Sequence, residues 1–164
     1  MKTAVIFSGN EGTCEIVANM IKKGLNHEVD VFDTSKRFYI DFDEYDNFIL
    51  GTNVRFGRLN NRFKKCFKIM KKYTTNDQNY YCYICGAYKL NAEKYIEDAR
   101  SVIDVTCDYY FVGGEVNVSK MKGFNKILGK KFAKNFSNED AETPELIYEN
   151  IDKLIESINN DKKE

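Results

Sequence analysis

Five short strand-like segments alternate along this chain with segments of helical spacing, and that alternation leaves few folds open. The strand-like segments are Ala4–Phe7, Glu28–Asp33, Asn47–Gly51, Tyr80–Cys85 and Asp108–Val112. Between them, Ile16, Val17, Met20 and Ile21 recur at helical period, as do Phe63, Cys66, Phe67 and Met70, and then Tyr95, Ile96, Ala99, Val102 and Ile103. Strand, loop and helix in repetition predict an α/β fold: a doubly wound, five-stranded parallel sheet with helices on both faces. In such a sheet, ligands bind beyond the carboxyl ends of the strands. Glu28–Asp33 alternates polar and apolar residues and is expected nearer the sheet edge.

The first of these units carries the most chemistry. The run Ala4–Phe7 stops abruptly at Ser8, Gly9, Asn10, Glu11, Gly12 and Thr13, and a helix begins around Cys14. A loop of this kind sets small side chains, hydroxyls and unpaired backbone N–H groups at the positive end of a helix, which suits a phosphate. A P-loop would need a Gly-Lys-Ser/Thr ending, and a dinucleotide fingerprint three glycines at fixed spacing; Gly9 and Gly12 satisfy neither. The residues alone also allow an ordinary strand-to-helix turn.

At 164 residues the chain suits one domain with a proper core. Lys plus Arg and Asp plus Glu both number 25, so no basic excess points to nucleic acid. The start passes from Met1-Lys2 through four apolar residues into a polar loop, too short for a signal-peptide core, and no run approaches membrane-spanning length. The expectation is a cytoplasmic protein. Five cysteines fit a reducing compartment, and the spacing of Cys82 and Cys85 inside a strand sends them to opposite faces as buried structural thiols. His27 is the only histidine, in a polar turn, which argues against triads and histidine-rich metal sites.

Further along, Asn47–Gly51 opens into Thr52, Asn53, Val54, Arg55, Phe56, Gly57 and Arg58, read as a loop with glycine hinges. Tyr80–Cys85 opens into Gly86, Ala87, Tyr88 and Lys89. Asn91 is placed to cap the helix that follows. Near the end, Thr143 is positioned as a cap and Pro144 as the first residue of a last helix whose apolar face is Ile147, Ile151, Leu154, Ile155 and Ile158, with residues 159–164 a frayed polar tail. A minimal five-stranded unit does not need residues 115–142. There Lys120, Lys122, Lys126, Lys130, Lys131 and Lys134 accompany Met121, Phe124, Leu128, Phe132 and Phe136, a basic amphipathic pattern over 120–136. Two readings stand: a surface helix tucking its aromatics onto the domain, or a segment touching an anionic membrane face or an acidic partner.

Three places give the chain a family likeness: the Ser8–Cys14 loop followed by Glu15-Ile-Val-Ala18, the stretch Leu50–Gly57, and Val112–Val116 followed by the Lys-and-Phe insertion. The start resembles flavodoxins, and nearly the whole length resembles the flavodoxin-domain group that includes menaquinone-dependent protoporphyrinogen oxidases. The resemblance implies FMN as cofactor. It assigns Ser8, Gly9, Asn10, Glu11, Gly12, Thr13 and Cys14 to the phosphate. Thr52, Asn53, Val54, Arg55, Phe56 and Gly57, with Gly86, Ala87 and Tyr88, fall to the isoalloxazine ring. Cys14 stands where the family usually has a hydroxyl, and Glu11 places a carboxylate in the cradle.

A flavin ring needs flat apolar faces, for which Phe56 and Tyr88 are the stacking candidates. Arg55 and Arg58 would stabilise negative charge on a reduced flavin; a cation about 6 Å away is worth on the order of 3 kcal/mol at an effective dielectric of about 20. Over two electrons that is roughly +60 mV. If Arg55 points inward, the flavin accepts electrons readily; if outward, it is a solvated loop residue. The implied function is an oxidoreductase passing electrons from a protoporphyrinogen-type substrate to a quinone, within haem biosynthesis. Its partners would be a quinone or a redox protein, with peripheral contact at the inner membrane face through 120–136. The alternatives are a soluble flavodoxin-type electron carrier and a flavodoxin-fold binding module that has lost FMN. A phosphorylated receiver domain shares the architecture but needs aspartates where this chain has Ser8 and Thr52-Asn53.

Overall fold

A computed structural model describes residues 1–9, 12–75, 77–114 and 144–161. Strands β1 (Lys2–Ser8), β2 (Glu28–Asp33), β3 (Asn47–Arg55), β5 (Asn79–Cys85) and β6 (Asp108–Gly113) pair in parallel in the order β2-β1-β3-β5-β6. Helices α1 (Thr13–Gly24), α2 (Asn61–Met70), α3 (Ala92–Arg100) and α4 (Tyr148–Asn160) cover it. The alternating α/β pattern is therefore realised as a doubly wound sheet, with β2 at the expected edge.

Side-chain alternation along the strands builds two cores. Ala4, Ile6, Phe48, Leu50, Tyr80, Cys82 and Ile84 meet Phe63, Phe67 and Met70 of α2 and Tyr95 and Ala99 of α3. On the other face Val5, Phe7, Ile49, Tyr81, Tyr83, Cys85 and Val112 meet Val17, Ala18 and Ile21 of α1 and Ile151, Leu154 and Ile158 of α4. The period of two in the strands and of 3.6 in the helices is thus sorted into layers. Cys82 and Cys85 fall in opposite cores, as their spacing requires.

Three expectations are corrected. Residues 52–58 are not a loop. Strand β3 continues to Arg55, turns through Phe56 and Gly57, and returns as β4 (Arg58–Leu59), antiparallel to β3 and a sixth strand of the sheet. Both turn residues have positive φ, 50° at Phe56 and 73° at Gly57, the requirement of a two-residue turn whose twist matches its strands. A Phe-Gly pair does not advertise that turn, because Phe rarely adopts it.

The last helix begins at Tyr148, not Pro144. Residues 144–147 run extended along β6: Leu146 bridges Gly113, the Gly114 N–H donates to the Glu145 carbonyl at 3.1 Å, and the Ile147 N–H to that of Val112 at 2.9 Å. Long-range pairing overrides the local helix-start signal there. Gly113 is held at φ +68° against this segment, and a Cβ on it would lie 2.2 Å from the Glu145 carbonyl oxygen.

The helix also outlasts its forecast. Asn159, expected in a frayed tail, is helical, accepts from the Asn26 N–H and donates to the Gly24 carbonyl, both at 3.1 Å. A smaller difference concerns Asn91, which ends a 3-10 turn (Lys89–Asn91) running into α3 and makes no side-chain cap bond. Thr143, the 115–142 insertion with its 120–136 basic stripe, and residues 162–164 lie outside the described residues, and none of the described helices is long and apolar enough to cross a membrane.

Candidate functional site

Chain order reverses between β1 and β3: the chain crosses to β2 on one side of β1 and to β5 on the far side of β3. At such a switch point adjacent loops splay apart and leave a crevice beyond the strand ends. Ser8 and Thr52 sit side by side in the β1–β3 register at that edge, and both are buried.

Packing ties four strand ends into one region. A Cβ on Gly9 would meet Cys14 Sγ at 3.0 Å and Asn53 Cγ at 3.7 Å, so the first loop lies directly against the opening turn of α1 and the end of β3. One on Gly86 would meet Val54 Cβ at 3.5 Å, joining the ends of β5 and β3. One on Gly114 would meet the Gly86 nitrogen at 3.3 Å and Thr13 Cγ2 at 3.6 Å, joining β6, β5 and α1. The Gly86 N–H also donates to the Gly113 carbonyl at 2.9 Å. Ser8, Gly9, Gly12, Thr13, Cys14, Thr52, Asn53, Val54 and Gly86 therefore belong to one constellation. Asn10 and Glu11 lie outside the described residues.

Within it the roles divide. Gly12 takes φ +88° and precedes α1 without a side-chain cap bond, so at the cap position only backbone stands beside the first-turn amides of α1. These are the groups that accept an anion. Ser8 Oγ is paired with Thr34 Oγ1 at 2.8 Å, and the Thr34 N–H donates to the Phe7 carbonyl at 3.0 Å, which anchors the loop after β2. Cys14 is 2% exposed, with its side chain in the core under Gly9; its carbonyl accepts the Tyr83 hydroxyl at 2.8 Å. Burial holds the Tyr83 phenol well above its ordinary pKa, with the neighbouring Cys14 secondary, so it is a neutral donor.

Asn53, 8% exposed, is steadied by Asn60, whose Nδ2 donates to Asn53 Oδ1 at 2.9 Å and whose N–H donates to the Asn53 carbonyl at 3.2 Å. Thr52 Oγ1 lies 3.4 Å from that same carbonyl.

The flanks are aromatic and cationic. Phe56 stands at the hairpin tip, 56% exposed, with the Arg55 guanidinium 5.6 Å from its ring centroid. Arg55 and Arg58 are direct cross-strand partners. Ala87 and Tyr88, half-buried, follow Gly86 beyond β5. Sequence reasoning passed over Gly114, Asn60 and Tyr83. Only the Gly113-Gly114 pair had a signal of its own, as two glycines ending a strand; Asn60 and Tyr83 act across the fold and carry no local mark.

Thiol chemistry has no foothold among the described cysteines for which a shift is resolved. Burial pushes Cys66 up to about 11, Cys107 up to about 12 and Cys82 well above its ordinary value, so thiolate is scarce. Among the described residues no group of three or more His, Cys, Asp or Glu gathers as a metal site.

A doubly wound parallel sheet in which the ends of β1, β3, β5 and β6 meet beside the start of α1 at the switch point defines a class of α/β domains with a crevice at the strand ends. The flavodoxin domain model matches residues 4–143, and the chain belongs to that family. Solved structures of similar fold include a flavoprotein from Lactobacillus acidophilus NCFM in complex with FMN. Its TM-score is 0.55 at 14% identity, covering 66% of this chain and 89% of that one. The flavodoxin of Streptococcus pneumoniae TIGR4 aligns with a TM-score of 0.54 at 18% identity, covering 82% and 96%. A Fusobacterium nucleatum flavodoxin variant bound to flavin mononucleotide aligns at 0.52 and 11% identity, covering 71% of each chain. Likeness at these identities is likeness of fold. No curated protein matches the chain.

Proposed function

We propose that this chain binds FMN at the switch-point crevice and works as a redox protein. The carrying observation is the convergence of the first loop, the start of α1 and the ends of β3, β5 and β6 within van der Waals distance of one another. The residues suit the group. A phosphate monoester needs N–H donors and close backbone approach, which the backbone of Gly9, Gly12 and Thr13 supplies. A flat ring needs apolar cover and backbone polar groups, which Phe56, Tyr88 and the Thr52–Val54 and Gly86–Ala87 backbones supply. Bound there, FMN supplies one- and two-electron redox chemistry, which explains why no acid or base is needed among these residues. The three solved relatives fit this reading, two of them holding FMN.

The finer reading is an oxidoreductase that takes electrons from an organic, protoporphyrinogen-type substrate and gives them to a quinone. It is supported by the paired arginines of the hairpin. Two cations at the ring's rim raise the flavin potential, whereas a low-potential carrier calls for acids there. A redox partner protein in place of the quinone is the carrier reading.

An FMN titration of the apo-protein, followed by flavin fluorescence, tests the first proposal; saturable binding is expected, and a protein that takes up no added FMN ends it. Arg55→Glu tests the second: the flavin potential falls by tens of millivolts if Arg55 serves the ring. An unchanged potential removes the electrostatic argument. Flavin reduction by protoporphyrinogen with reoxidation by a menaquinone analogue separates enzyme from carrier.

A further inference from the structure

Tyr83 is fully buried near the carboxyl end of β5, and nothing in the electron chemistry uses it. Its register partner on β3 is Gly51, and its ring occupies the space a side chain would take there: a Cβ on Gly51 would lie 2.2 Å from both Tyr83 Cζ and Oη. The bare backbone of Gly51 lets the phenol lie across the sheet toward α1, where its hydroxyl donates to the Cys14 carbonyl at 2.8 Å. Cys14 in turn supports the first loop, its Sγ 3.0 Å from where a Gly9 Cβ would be. A packed line therefore runs Gly51, Tyr83, Cys14, Gly9, from the middle of the sheet to the anion cradle.

The hydroxyl bond is the directional link in that line. A carbonyl has two lone pairs, so Cys14 can accept from Tyr83 without leaving the helical ladder. In a dry core, a donor of this kind is costly to leave unmade. The bond therefore sets the height and rotation of the first turn of α1 relative to the sheet, and with them the direction of its backbone N–H groups.

We propose that Tyr83 is a positioning residue for phosphate: through Cys14 it holds the first turn of α1 and the Gly9 backbone in the geometry that accepts a phosphate monoester. The proposal rests on the FMN reading of the site. A loop held ready binds at its intrinsic affinity; a loosened one is competent for only part of the time, and its affinity falls by that fraction.

Tyr83→Phe keeps the ring in its slot and removes the hydroxyl alone. The Kd for FMN should rise, by up to about fivefold, the ceiling set by the loss of one net hydrogen bond. Riboflavin, the same ring without phosphate, should bind the variant as it binds the parent. In the apo-protein, amide hydrogen exchange across residues 12–16 should quicken by a similar factor, while the core amides of β1 and β3 hold. Gly51→Ala displaces the phenol from the opposite side and should give the same FMN-selective loss. Equal weakening of FMN and riboflavin overturns the proposal, as does unchanged FMN affinity with unchanged exchange; Tyr83 is then core filling. A parent that binds no FMN overturns the cofactor reading instead, and the exchange measurement, which needs no ligand, still decides whether Tyr83 holds the turn.

Discussion

At the scale of single residues, the chain's lone histidine shows how a turn position acquires a job. His27 Nε2 lies 2.7 Å from Thr3 Oγ1, which is buried and also accepts from Asn47 Nδ2 at 3.2 Å; His27 Nδ1 lies 3.3 Å from Asn26 Oδ1. Desolvation, then the nearby chain-start ammonium, hold the His27 pKa below its ordinary value, with Asp46 opposing them. The folded protein thus favours neutral imidazole, and the unfolded chain binds the proton more readily. The stability from this group is fully present above about pH 6.5 and is lost as pH falls from there toward the lowered folded value. Urea midpoints compared between pH 7.5 and 5.5 should drop more for the parent than for His27→Gln, whose carbonyl accepts from Thr3 without titrating. Equal drops would show that other groups govern that window. The bonds His27 makes were not legible in the sequence, because Thr3 meets it only once β1 and β2 pair, and Asn47 meets Thr3 only once β1 and β3 pair.

At the scale of elements, the β3–β4 hairpin is where local preference and tertiary need disagree. Phe56 holds φ +50°, a conformation that costs a residue with a bulky side chain roughly 1 kcal/mol or more, yet its ring is more than half exposed and recovers little by burial. Strain of that kind in an exposed aromatic is what a ligand contact would explain. Phe56→Asn suits the turn and should raise stability by about 0.5–1 kcal/mol in urea denaturation. The same change should weaken FMN binding if Phe56 covers the ring. A more stable variant with undiminished FMN affinity would take Phe56 out of the site. The β6–α4 junction shows the reverse: Pro144 is a good first helical residue, but the pairing of Glu145, Leu146 and Ile147 with β6 fixes residues 144–147 as extended chain and delays the helix to Tyr148.

At the scale of the whole molecule, a ligand seated across four strand ends binds only the folded chain, so it stabilises by mass action. FMN at a hundred times its Kd should contribute about 2.7 kcal/mol and raise Tm by roughly 5–10 °C. Riboflavin should do less at equal concentration if phosphate carries part of the affinity; equal shifts would place the binding energy in the ring alone. The sequence by itself determined the architecture. Strand and helix periods are local, and their alternation admits little besides a doubly wound sheet; hence Gly9, Gly12, Thr13, Thr52, Asn53 and Gly86 were readable as residues gathered at one strand-end edge. Tertiary structure alone decided how that edge is held together. Cys14 turns into the core, Ser8 pairs with Thr34, and Tyr83, Asn60 and Gly114 enter the site through contacts that span the fold. Local propensity sets what each segment becomes, but a side chain's direction at a strand end depends on neighbours tens of residues away, and those meet only when the sheet is closed.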